Sequence, residues 1–113
     1  MLINGSATVT ASKASIITLV DGGIQLDEKG SLVTDGADTS LLVKGSGALQ
    51  LQGSSQVQIS SQSKLRMTAG NVEGKGSSSL QVDNRGTLTL LDGSMTFIEG
   101  SSMDVVSNGI VRV

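Results

Sequence analysis

The side chains that could carry chemistry in this chain are its carboxylates. There are ten of them, Asp21, Asp27, Glu28, Asp35, Asp38, Glu73, Asp83, Asp92, Glu99 and Asp104, with no His and no Cys. That combination excludes most nucleophile–base pairs and most transition-metal sites. It leaves glycan chemistry on surface carboxylates and hard-cation binding as the options to weigh. The densest group is Asp35-Gly36-Ala37-Asp38. Asp35 and Asp38 are the candidate ligands of a weak Ca²⁺ site, set against the simpler reading of a solvated turn in which Asp bonds neighbouring backbone amides. Asp21-Gly22-Gly23 is a lone turn, not a repeated calcium loop. The sequence contains neither a Walker loop nor a Rossmann fingerprint, and no residue set points to a cofactor.

Composition limits the body that would hold these groups. The chain has 113 residues, 15 of them Gly, and Phe97 is its one aromatic residue; Pro, Trp and Tyr are absent. One domain spanning 1–113 is expected. Its core must be narrow and aliphatic, because the aromatics that usually supply large buried areas are missing. Plentiful aliphatics, no Pro and a net charge of −2 argue against disorder. The same weak charge gives no footprint for nucleic acid or for an anionic membrane. No window approaches the length of apolar sequence needed to span a bilayer. The N-terminal MLINGSATVTASK lacks the basic and apolar regions of a secretion signal. The expectation is assembly in the cytosol, or an excised piece with an added Met.

The elements follow from a repeat. Apolar-x-apolar triplets separated by polar, Gly/Ser-rich turns recur at Ile17, Ile24, Leu41, Leu49, Val57, Leu65, Leu80, Leu88, Met95, Met103 and Val111, with a weaker copy at Leu32-Val33 and an earlier one at Ala7-Thr8-Val9. The step is about eight residues, the signature of a solenoid. Val72 marks a weak unit within 68–79, and 34–40 is the longest turn insertion. Period-two alternation means short strands with one face buried. Gly and Asn at the turns suit positive φ. The expected fold is all-β, a β-solenoid with essentially no helix.

Two geometries fit. In a parallel β-helix three units make a coil of about 24 residues, and the outward residues stack as Thr18, Leu42, Arg66, Thr89, Arg112; as Val33, Gln58, Gln81, Asp104; and as Gln25, Gln50, an irregular Val72–Glu73 position, Thr96. Gln over Gln would permit amide ladders. In a trimeric β-prism each chain supplies one face and every unit climbs one layer. With layers about 4.8 Å apart, the first is roughly 20–25 Å tall and the second roughly 60 Å.

The strand pattern runs to Val113, leaving an edge that invites pairing, while Met1-Leu2-Ile3 could act as a small cap. Val111 and Val113 at that edge, and the outward apolar Leu42 and Val33, are the expected assembly contacts. Self-association as a homotrimer or end to end is therefore anticipated, alongside other structural subunits. The outward positions hold no Thr rows of the ice-binding kind, and Lys44, Lys64, Arg66, Lys75, Arg85 and Arg112 read as dispersed, solvated charges.

Segments such as Gly47-Ala48-Leu49-Gln50-Leu51-Gln52-Gly53-Ser54 and Arg85-Gly86-Thr87-Leu88-Thr89-Leu90-Leu91-Asp92-Gly93-Ser94 resemble repeats of autotransporter and haemagglutinin-type passenger domains. They are similar, too, to β-helical or β-prism stretches of phage tail fibres and tailspikes. The resemblance implies an elongated structural scaffold on a virion or cell surface and carries over no functional residue. A non-enzymatic shaft or stem module of a phage fibre or spike is the leading expectation. An adhesin passenger fragment and a bactofilin-like head-to-tail filament are the alternatives.

Overall fold

The computed structural model describes residues 1–3, 5–20, 22–45 and 47–113. Fifteen short strands wind into five coils of three. The first coil holds β1 (Leu2–Ile3), β2 (Thr8–Ala11) and β3 (Ile16–Val20), and the second β4 (Ile24–Leu26), β5 (Ser31–Asp35) and β6 (Ser40–Lys44). The third holds β7 (Leu49–Leu51), β8 (Gln56–Ser60) and β9 (Lys64–Met67), and the fourth β10 (Gly70–Gly74), β11 (Ser79–Val82) and β12 (Thr87–Leu90). The fifth holds β13 (Gly93–Phe97), β14 (Ser102–Val105) and β15 (Ile110–Arg112). No helix occurs among the described residues.

Each strand pairs in parallel with the strand three elements away, giving three five-stranded faces: β1-β4-β7-β10-β13, then β2-β5-β8-β11-β14, then β3-β6-β9-β12-β15. The register steps by 23 residues from Leu2 to Gln25, 24 from Ile16 to Ser40 and 25 from Ile24 to Leu49. The chain therefore pairs with itself every third unit, as the single-chain helix requires. Its extents of 32 × 28 × 25 Å agree with five layers at about 4.8 Å, not with a prism of some 60 Å.

All three outward ladders fall as the 24-residue spacing predicts. Thr18, Leu42, Arg66, Thr89 and Arg112 stack on the third face. Val33, Gln58, Gln81 and Asp104 stack on the second, with Thr10 before them. On the first face Glu73 fills the irregular position between Gln50 and Thr96. The stretch 68–79 thus contains all of β10, paired on both sides. The stretch 34–40 contains a corner of four residues, 36–39, between β5 and β6. Leu2-Ile3 is not a cap: it is the first strand of the first face, in register with Gln25-Leu26.

The inward residues form aliphatic columns along the axis. Leu26, Leu32, Leu41, Val43, Leu49, Leu51, Ile59, Met67, Val72, Leu80, Val82 and Leu88 are fully buried. Six inward side chains per coil leave no room for aromatic rings except where one is missing. That happens at Gly74, where an added Cβ would lie 2.5 Å from Cδ1 of Phe97 in the next coil. The ring occupies the space that the absent side chain leaves, so the chain's one aromatic and an inward glycine form a complementary pair.

One of the three corner columns stacks as regularly as the strands. Between the first and second faces, one left-handed residue recurs in every coil: Gly5 (φ 62°), Glu28 (57°), Gly53 (64°), Gly76 (67°) and Glu99 (61°). Backbone hydrogen bonds tie these corners layer to layer, Lys29 N–H to Gly5 O at 2.8 Å and Ser77 N–H to Gly53 O at 2.8 Å. Between the second and third faces the left-handed residues come as adjacent pairs in four coils, Lys13-Ala14, Ser61-Gln62, Asn84-Arg85 and Ser107-Asn108, and as Gly36 and Asp38 on either side of Ala37 in the second coil. At the corner between the first and second faces the repeated conformation, rather than glycine itself, is what is preserved, whereas the links from the third face back to the first vary from two to four residues.

Candidate functional site

The expected metal ligands lie at a second-to-third-face corner. Asp35 and Asp38 are both exposed. Asp35 accepts a hydrogen bond from the Ser60 hydroxyl, Oγ to Oδ1 at 3.2 Å, and Asp38 has a left-handed backbone with φ 64°. Beneath them lies a buried hydroxyl cluster. Ser63 Oγ donates to Thr34 O at 2.8 Å, and Thr34 Oγ1 and Ser63 Oγ share a hydrogen bond of 3.0 Å. These contacts make Asp35 part of the corner's own hydrogen bonding. Among the described residues, no group of three or more His, Cys, Asp or Glu gathers to hold a metal ion. Asp21 of the Asp21-Gly22-Gly23 turn lies outside the described residues.

The glutamines stack in register as expected, but not as amide ladders. Among the described residues no hydrogen bond joins Gln25 to Gln50 or Gln58 to Gln81. Instead Gln58 Nε2 and Gln81 Nε2 both donate to Asp83 Oδ2, at 3.4 and 3.2 Å. Asp83 is only 8% exposed, and its Oδ1 has no partner. A turn aspartate of the ordinary kind would be solvated. This one is covered because two glutamines from adjacent layers fold over it, and a charge-assisted pair of donors is what such a position needs.

The structure sorts charge by face, which the sequence reading missed. The third face carries Lys44, Lys64, Arg66 and Arg112, all exposed, and its strands contain no acid. The second face carries Asp35, Asp83 and Asp104, and its strands contain no Lys or Arg. Four cations that look dispersed along the chain therefore share one surface. Among the described residues the ion pair is Lys75–Glu73, 3.0 Å on the first face; it involves none of the four. A count of charges modulo 24 along the sequence would have found the segregation.

The expected assembly contacts separate in the same way. Val33 is half-buried on the second face and Leu42 half-buried on the third, both in the second coil. Val111 points inward and packs against the core from the last strand, while Val113 beyond it is 70% exposed. At the first coil the inward Val9, Ile17 and Leu19 are likewise only partly covered.

No protein-family model matches the chain, and neither the curated proteins nor the solved structures contain a match to it. The functional reading therefore stands on the geometry and on the repeat.

Proposed function

We propose that this chain is a non-enzymatic structural module, a stretch of shaft or stem in an elongated assembly. The observation that carries the reading is the axial continuity of the strand columns. Inward and outward strand residues repeat with a one-coil shift, as do the corners between the first and second faces, so a further layer pairs in the same parallel sense on the strands of an end coil. Parallel strand edges carry unpaired backbone groups that such a layer would satisfy. The setting that the repeat's resemblance favours is a phage tail fibre, spike or related virion appendage. A surface adhesin passenger and a bactofilin-like filament use the same property.

Electron microscopy of the purified protein tests this reading. Rods or filaments far longer than the 32 Å of one chain are expected. Isolated particles of one-chain size at every concentration contradict it. An assay for new reducing ends on surface polysaccharides checks the non-enzymatic part, with no release expected.

A further inference from the structure

We infer that copies of this chain associate side by side, the acidic second face of one against the basic third face of the next, in register layer by layer. The inference names the partner that the shaft reading leaves open, and it rests on that reading.

The geometry begins with the strands, which run around the axis rather than along it. Two copies with parallel axes wind in the same sense, so their facing strands run in opposite directions. The middle residue of each strand then meets the middle residue of its counterpart, and the layers meet at equal height. With no axial shift, the second face against the third pairs Thr10 with Thr18, Val33 with Leu42, Gln58 with Arg66, Gln81 with Thr89 and Asp104 with Arg112. Each pair is chemically matched: hydroxyl to hydroxyl, apolar to apolar, amide to guanidinium or hydroxyl, carboxylate to guanidinium. In the flanking column Val106 meets Ile110, both exposed apolar residues at 47% and 42%. In that column, too, Lys64 comes to lie one layer from the exposed Asp35.

Alternatives fit less well. A shift of one layer sets Val33 against Arg66 in one direction and Gln58 against Leu42 in the other, and either takes Asp104 away from Arg112. A two-fold contact of third face on third face sets four cations against four and is repelled. The favoured contact is heterologous, so each copy offers one of each face and the contact can repeat. A face of five layers by about five residues is roughly 24 × 16 Å, so two faces bury on the order of 800 Å², the size of a weak interface. A shaft that multiplies the layers multiplies the contact.

The chain has no Cys, which makes cross-linking clean. In V33C/L42C the two cysteines sit on different faces of one molecule, so oxidation is expected to give intermolecular ladders. A V33C/T89C control, two layers out of register, should give few. Native mass measurements should show oligomers at low salt that dissociate as salt rises and the Debye length shortens. Arg112→Asp and Asp104→Arg should each weaken association at least tenfold, and the double swap D104R/R112D should restore it. A monomer at every salt concentration, equal ladders for both cysteine pairs, or a swap that fails to restore association would overturn the inference. Rods seen by microscopy alongside a failed swap would leave the shaft reading standing. Salt-sensitive lateral oligomers without rods would do the reverse.

Discussion

The strands β11 and β14 have nearly the same sequence pattern, Ser-Leu-Gln-Val and Ser-Met-Asp-Val, and they pair with each other residue for residue. Their burial is nevertheless different. In β11 Leu80 and Val82 are completely buried, whereas in β14 every residue is exposed, Met103 at 37% and Val105 at 42%. The inward direction is the same in both. What differs is that β11 has a layer on each side and β14 has one. In this fold burial comes from stacked neighbours more than from the strand's own residues, so the stabilising unit is the contact between coils.

Three substitution pairs would break or sharpen that comparison. The largest effect is expected in the core column shared by Leu80 and Met103. Leu80→Ala should cost about 2–5 kcal/mol, as cavity-forming core changes do, and Met103→Ala less than about 1 kcal/mol. Urea unfolding at low protein concentration reads both, and equal losses would show that the end coil is already covered. The next pair lies in the left-handed corner column. At Gly53 an added Cβ would sit 2.9 Å from the backbone N and O of Glu28, whereas at Gly5 the nearest atom is 3.8 Å away. Gly53→Ala should therefore cost about 2–3 kcal/mol and Gly5→Ala about 1–2, the latter from backbone strain alone. Thermal melts distinguish them, and reversal of the order would contradict the stacking of the corners. The smallest pair compares two acids of one outward column. Asp83→Ala leaves the Gln58 and Gln81 amides without their acceptor and should cost about 1–2 kcal/mol. Asp35→Ala, at an exposed position, should cost less than about 0.5 kcal/mol. Denaturant midpoints check this pair.

The sequence made the strands legible because the apolar-x-apolar triplet survives in almost every unit. The ladder from Thr18 to Arg112 could be counted directly. The unit at β10 was obscured because Gly74 stands where the second apolar residue belongs, and Phe97, which replaces its volume, comes from another coil. The corner rule was legible at Gly53 and Gly76 but not at Glu28 and Glu99, which adopt the same φ with a side chain. The cover over Asp83 was not legible because its two glutamine partners are set by register across layers and within one strand together. The charged faces were hidden for a related reason. Lys44, Lys64, Arg66 and Arg112 are scattered along the chain and become neighbours only when it is wrapped at 23 to 25 residues per coil.

Native-state hydrogen exchange resolved by residue tests the stacking claim most directly, because it reads the stability of each layer separately. At low protein concentration, protection should be greatest for the amides of β4 through β12 and fall toward β1–β3 at one end and β13–β15 at the other. Uniform protection from β1 to β15, or slower exchange in β14 than in β11, would contradict the account.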